Sequence, residues 1–550
     1  MNRPSPAAAR LALSLATAAL VSHATIGCSQ AQPGEDSRWW GHVRALASDD
    51  LRGRRTGTED FRRAAAYVAA AYRELGVDSL GPAGYDQDVP FVVRTVDEAR
   101  CSVTLLPEEG SPIALRFGDD ATLVRSAPLG RDVEAPLVFV GYAVVAPEAK
   151  YDDLEWQDLK GKIAVYVSSG PAAVPDPMRA HVQFAAERWA HLKAAGAIGA
   201  ISIPNPATME AGWARYIVNR STPAMALEDK ADHELEGQRF GLRLNPARAD
   251  TLFEGSQHTW AEIAAMAKRG DQLPTFDMPM RLRAHVEAKT WRVRSPNVIG
   301  VIHGSDPTLR NEYVLLTAHL DHLGVGAPVD GDSIYNGAMD NASGVATLLE
   351  LARALRQGPA PKRSVILAAL TGEEEGLYGS RYFALHPLVP MSRIVAEINV
   401  DMVLPIVPLT HMVVFGLNES SLGPRATEVA QRHGVATQKD PEPQRNLFIR
   451  SDQYNLIRAG VPSLAFVTGF VPGTPAEERL KEFRHNRYHA PSDDLDQPVD
   501  HQAAALWNEI LLDLVRDTAD RAEKPRWNSD SFFARFAKEP ATHSPRAARP

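Results

Sequence analysis

Apolar positions recur along this chain with three textures. Over 61–75, Phe61, Ala65, Val68, Tyr72 and Leu75 fall at helical spacing among Arg and Ala, which predicts a helix packing one face onto a core. Over about 102–285 short β-like runs, such as 137–142 and 163–167, are separated by Gly, Pro and Asp turns, with one Ala-rich helical stretch near 184–195. From about Asn297 onward, buried-strand runs at 314–318, 365–370, 394–400 and 463–467 alternate with helical patterns. The clearest helix follows Ser343 and carries Val345, Leu348, Leu349, Ala352 and Leu355. This alternation predicts an α/β sheet with helices on both faces, into which a separate domain over 102–285 is inserted. A Pro-, Arg- and Ala-rich tail over 525–550 is expected to be mobile.

Charge and leader change the picture in two ways. With 59 Lys and Arg against 68 Asp and Glu the net charge is -9, which offers no cation excess for a phosphate backbone, so nucleic acid is excluded as a partner. At the start, Arg3 and Arg10 precede an apolar run over 11–21 and then small residues, the pattern of a signal peptide over 1–31. The run is shorter than the roughly 20 apolar residues a membrane span needs. Two cuts are open: ATIGC, ending at Cys28, resembles a bacterial lipoprotein box with Thr25 where Leu is usual, and SQA, ending at Ala31, suits ordinary cleavage. Both imply export from a bacterial cell, to the periplasm, the outer membrane as a lipoprotein, or the medium. Contact with a membrane would come only through a lipid on Cys28. Cys28 and Cys101 are the only cysteines, so the fold does not depend on a disulfide framework. No pattern specifies an oligomeric state.

Acidic and His residues of the second half fall where apolar strands end. TAHLDHLG places His319 just past one run, LTGEEEGLYGS places Glu373 and Glu374 past the next, and INVDMV places Asp401 past the third. Ligands of open α/β sheets bind at the carboxyl ends of strands. Asp340, in YNGAMDNASG, precedes a helix start, and His489, in NRYHAPSDDLD, lies in a turn-rich segment. Two imidazoles and three carboxylates form a donor set that Zn²⁺ accepts without a thiolate. With Asp340 shared, two ions would each take one His, one terminal carboxylate and the common one, as in two-metal hydrolytic sites.

The ordered motifs His319-Leu320-Asp321, Asp340-Asn341-Ala342-Ser343-Gly344, Glu373-Glu374 followed by Gly376, Gly379 and Ser380, Asp401-Met402 and Tyr488-His489 resemble the co-catalytic zinc exopeptidases of the aminopeptidase Y and glutamate carboxypeptidase family. LASDDLRGRRTGT over 46–58 is similar to that family's N-terminal segment. The resemblance implies a zinc-exopeptidase fold, a mixed and largely parallel sheet between helices, over 37–101 and 286–524. It implies two zinc ions per chain, His319 and Asp401 on one, Glu374 and His489 on the other, and Asp340 bridging. Glu373 is then the general base acting on a metal-bridging water. Asp321, two residues past His319, orients its imidazole, and Tyr488 stabilises the tetrahedral intermediate. YDDLEWQDLKGKIAVYV from Tyr151 and KAAGAIGAISI from Lys193 resemble a protease-associated domain, making the insert mostly β. The implied activity is release of single residues from peptides, from the amino terminus. A carboxypeptidase or dipeptidase, a glutaminyl cyclase-like acyltransferase and a receptor-like binding protein are the alternatives on the same scaffold.

Rival residues are His322, three past His319, and His485, which lacks the flanking Tyr and the Ser492-Asp493 found near His489. Glu375 reads as an outward-facing spare, and Ser451-Asp452 either resembles another segment of that family near the site or is a turn or cap. A G-x-S-x-G elbow, an HExxH pair and a P-loop are all missing from the sequence.

Overall fold

The architecture comes from a computed structural model that describes residues 35–537, apart from 82, 210–211, 218–219 and 221. The leader over 1–31, with Cys28, and the last residues, 538–550, lie outside the described residues.

Two large sheets divide the chain. The larger has ten strands; across it run Ala224–Leu227, Asp86–Val96, Ala288–Ile302, Ser364–Leu370, Tyr313–His319, Ile394–Asn399, Ser463–Thr468, His411–Phe415 and Ala436–Gln438, with Asp78–Ser79 beside Ala288–Ile302. Its four central strands, from Ser364–Leu370 to Ser463–Thr468, are parallel, and the flanks are joined antiparallel. The central strands are buried on both faces, which is why their sequences read as unbroken apolar runs. Period-two alternation sends Val314, Leu316, Val365 and Leu367 to one side. There they pack with Phe61 and Val68 of the helix Glu59–Glu74, Leu348 of Ser343–Gln357 and Trp507 of His501–Asp520. Leu315, Ile366 and Ala368 face the other side, against Phe383 and Leu456. The helix predicted over 61–75 forms as Glu59–Glu74, started by the Thr58 side chain, which accepts from the Phe61 N–H.

The smaller sheet has eight strands, all between Ser102 and His285, with parallel pairing among Asp132–Val140, Ile163–Ser168, Gly199–Pro204 and Phe240–Leu244. One strand from this stretch departs from the expected division: Ala224–Leu227 pairs with Asp86–Val96 in the larger sheet, where Met225 and Leu227 pack on Phe91 and Val93. Burial of these apolar side chains favours the larger sheet over the local one. The tail expected beyond 525 also differs, because its aromatic residues up to Phe536 pack against the domain. Phe533 is 1% exposed among Tyr454, Ile457 and Ala180, and the Trp527 indole N–H donates to the Gly460 carbonyl. Aromatic residues at 527, 532, 533 and 536 outweigh the Pro, Arg and Ala around them.

Candidate metal centre

Parallel pairing places the ends of Tyr313–His319, Ser364–Leu370 and Ile394–Asn399 on one rim. His319 closes its strand, Glu373 and Glu374 follow a two-residue turn, and Asp401 follows Val400. Asp340 is brought over this rim by the loop before the helix Ser343–Gln357. Its backbone N–H and that of Met339 both donate to the Asp493 carboxylate, each at 3.0 Å. His489 comes from the loop after the helix Pro475–Asn486, with the Tyr488 ring stacked on it at 3.9 Å.

The five expected ligands converge. His319 Nε2 lies 3.1 Å from Asp340 Oδ1 and 3.3 Å from Asp401 Oδ1. His489 Nε2 lies 3.1 Å from Asp340 Oδ2 and 3.2 Å from Glu374 Oε2. Asp340 therefore turns one oxygen to each imidazole. Ligand bonds of 2.0–2.2 Å in a tetrahedron put neighbouring donors about 3.3 Å apart, so both corners have the spacing of a zinc coordination edge. Electrostatics agree. Burial acts to lower the proton affinity of His319, yet Asp401, Glu373 and Asp340 hold it well above the usual imidazole range. Burial acts likewise on His489, and Glu374 and Asp340 raise it. Burial acts to raise the Glu374 carboxyl, but His489 and His322 draw it down to about 2 against the repulsion of Asp340. The cluster thus gathers more negative than positive charge, and the donor chemistry of two imidazoles and three carboxylates suits divalent zinc.

Glu373 and Tyr488 line the same cavity, of about 160 Å³, as His319, Asp340 and Asp401. Burial pushes the Glu373 carboxyl well above its usual range, against the pull of His319 and with help from Glu374 and Asp401. Burial and then Asp340 and Glu374 likewise raise the Tyr488 phenol, which stays an O–H donor at neutral pH. Leu404, Phe415, Phe466, Phe470, Leu480 and Phe483 form the apolar wall, and Arg445, Arg450 and Arg484 complete the lining.

Asp321 occupies a different role from the one expected. Its carboxylate is 3.9 Å from His319 Nδ1, which instead lies 3.1 Å from the Asp321 backbone carbonyl. The chain leaves strand geometry after His319, so the two side chains no longer point the same way. The carboxylate accepts from the Thr56 hydroxyl and from the backbone N–H groups of Glu373 and Glu374, anchoring the turn that carries both. Glu375 is not an outward spare: it is half-buried and paired with Arg55 at 2.8 Å. Ser451 is more than a turn residue, since its hydroxyl donates to Asp401 Oδ2 at 2.6 Å. His485 is exposed on its helix and contributes nothing to the cluster.

Some supporting residues escaped the sequence reading. Arg54, fully buried, donates to the carbonyls of Leu320 at 2.8 Å, Gly337 at 2.7 Å and Leu46 at 3.2 Å, and to that of Asn336. It ties the loop after His319 to the loop before Asp340. Burial lowers its guanidinium to about 10, which leaves it charged at neutral pH. Below the rim, Thr317 Oγ1 lies 2.6 Å from Glu397 Oε1 and 2.8 Å from Asn399 Oδ1, and the Asn399 amide donates to Ser451. One hydroxyl proton serves one acceptor, so a protonated Glu397 supplies the second; burial raises that carboxyl to about 8.

Fold and cluster together define a class: an α/β domain with imidazoles and carboxylates gathered at a strand rim, in groups that could hold metal ions. Residues 297–515 match the description of peptidase family M28. A solved aminopeptidase from Aneurinibacillus sp. strain AM-1 shares the fold, with a TM-score of 0.52 at 18% identity over 89% of this chain and 95% of its own. A probable zinc metalloprotease of Leptosphaeria maculans is 34% identical over 151 residues, which are 26% of this chain and 34% of that protein. A probable glutamate carboxypeptidase of Arabidopsis thaliana is 34% identical over 137 residues, 24% of this chain and 18% of its own length. The chain thus spans about a third or less of the length of these curated relatives.

The relatives correct the expected compartment. Probable zinc metalloproteases of Leptosphaeria maculans and Pyrenophora teres and a vacuolar membrane protease of Tuber melanosporum are fungal, so export from a bacterial cell is not supported. A basic start, a short apolar run and small residues serve export in many kinds of cell and carry no mark of the organism. Among the described residues no helix is long and apolar enough to cross a membrane.

Proposed function

We propose that the chain is a di-zinc exopeptidase that releases single residues from the amino terminus of peptides. The observation that carries this reading is the division of the two Asp340 oxygens between His319 and His489, at 3.1 Å each. His319 and Asp401 would hold one ion, Glu374 and His489 the other, with Asp340 common to both. Two zinc ions there supply Lewis acidity toward a peptide carbonyl and lower the pKa of a water.

The remaining work falls to the chain itself. Glu373, whose burial gives it a proton affinity above that of ordinary carboxylates, takes a proton from the attacking water and passes it to the leaving amine. The Tyr488 hydroxyl donates a hydrogen bond to the developing oxyanion. Asp321 and Arg54 hold the loops that present these groups, and the apolar wall receives a large apolar side chain. In this reading residues 37–101 and 286–524 form the peptidase domain and 102–285 an inserted protease-associated domain beside it.

Arg445, Arg450 and Arg484 favour a second reading, release of a carboxyl-terminal residue, because guanidinium groups recognise carboxylates. A panel of aminoacyl and N-blocked dipeptide chromogenic substrates, assayed with and without a chelator, separates the two. Chelator-sensitive cleavage of leucyl or phenylalanyl substrates is expected. Cleavage confined to blocked peptides with a free carboxyl end moves the assignment to the second reading.

A further inference from the structure

His322 has no role in the ligand set above, yet it is placed as if it had one. The ring is wholly buried, and its Nδ1 lies 2.7 Å from Glu374 Oε1. Neither ring nitrogen has a partner of good hydrogen-bond geometry, and neither has Glu374 Oε1. The other oxygen of that carboxylate, Oε2, faces His489. Glu374 is therefore split between two imidazoles, and His322, Asp340 and Glu374 bring ligand atoms within 4.8 Å of one another. The position of His322 is set by the fold. Gly337, at φ +61°, leaves room for the ring, since a Cβ there would come within 2.5 Å of His322 Cγ and Cδ2. The His489 ring meets it edge to face at 5.8 Å.

We propose that His322 is a positioning residue for the second cation: with its proton on Nδ1 it donates to Glu374 Oε1 and fixes the carboxylate so that Oε2 faces the ion. The four residues from His319 to His322 then serve the centre three times, through the His319 ligand, the Asp321 carboxylate beneath the Glu373–Glu374 backbone, and the His322 ring behind Glu374. An unsatisfied nitrogen beside an unsatisfied carboxylate oxygen in a buried site is costly unless the pair closes on each other. Closing requires only a change of angle, because the distance is already that of a charge-assisted hydrogen bond. The inference rests on the two-ion reading and concerns how one ion is held.

The test uses the full chain, stripped of metal and titrated with Zn²⁺ against a competing chromophoric chelator, with bound zinc counted by mass spectrometry. His322→Phe keeps a ring and removes the donor, and His322→Leu serves where the Phe variant does not fold. His322→Asn places an amide N–H near the position of Nδ1. Wild type is expected to bind two ions. The Phe or Leu variant should bind one as before and the other about 10- to 100-fold more weakly, as for other groups that orient metal ligands. The Asn variant should recover most of that loss. Two ions bound as tightly in the Phe or Leu variant as in wild type overturns the proposal. So does an Asn variant no better than Phe, because restoring the donor then restores nothing. A wild-type protein that binds fewer than two ions overturns the two-ion reading instead, which keeps the two failures apart.

Discussion

The two sheets share a parallel centre and treat buried acids in opposite ways. In the loops around the smaller sheet Asp153 is surrounded by donors: its oxygens accept from the backbone N–H of Tyr142 and Val144, each at 3.0 Å, and from the Tyr151 hydroxyl at 2.6 Å. Asp120, likewise buried there, accepts from the Arg116 N–H and pairs with Arg248 at 2.7 Å. At the rim of the larger sheet Asp340, Glu373, Glu374 and Asp401 crowd one another around the imidazoles of His319, His322 and His489. Among the described residues both groups able to hold a metal ion lie there. An acid buried to support a loop is ringed by N–H and O–H groups. An acid buried to hold a cation is ringed by other acceptors, and the deficit of positive charge is the signature of the site.

The largest effect that sets the two regions apart is expected for Asp340→Ala. Loss of the shared carboxylate should deplete both ions and abolish turnover, read by zinc content and peptide cleavage; a variant still holding two ions would show that Asp340 is no bridge. Glu373→Gln should lower kcat by about 10²- to 10⁴-fold with zinc content unchanged. Wild-type kcat in that variant removes Glu373 from the mechanism.

Glu397 gives the comparison a pH axis. An unfolded Glu titrates near 4.3, whereas burial holds this one to about 8 in the folded chain. Between those values the folded state binds more protons, so its stability contribution is full below pH 4 and is lost as pH rises to 8, at about 1.4 kcal/mol per unit. Thermal melts from pH 5 to 9 should show this slope in wild type and a flatter one in Glu397→Gln; equal slopes exclude Glu397 as the source. The smallest effect is expected from Asp153→Asn, which removes an acceptor from a satisfied cluster. It should lower stability by about 1–3 kcal/mol and leave kcat/KM unaltered. A large loss of activity there would erase the distinction between the sheets.

The rim was legible in the sequence because its logic is local: an apolar strand ends, and His319, Glu373 or Asp401 follows within a few residues. The parallel central strands were legible from the same runs. What was not legible depends on distant partners. Nothing in the sequence around Ala224–Leu227 says that it pairs with Asp86–Val96, since the pairing is decided by burial against Phe91 and Val93. The Asp321 carboxylate turns to the Glu373–Glu374 backbone only because the chain bends after the strand. His489 was legible through the Tyr488-His489 motif, whereas the burial of His322 and its 2.7 Å approach to Glu374 are visible only in the fold. Phe533, in a stretch rich in Arg and Ala, needed Tyr454 and Ile457 to become a core residue.

Arg54 has one more consequence. The segment matched to the family model begins at residue 297 and includes all five proposed ligands, but the guanidinium that clasps their loops is made 266 positions before the Leu320 carbonyl it binds. On the ribosome the clasp emerges early and waits for the whole insert to follow before it has anything to hold. A fragment starting at the family boundary would carry every ligand and lack the knot that gathers them.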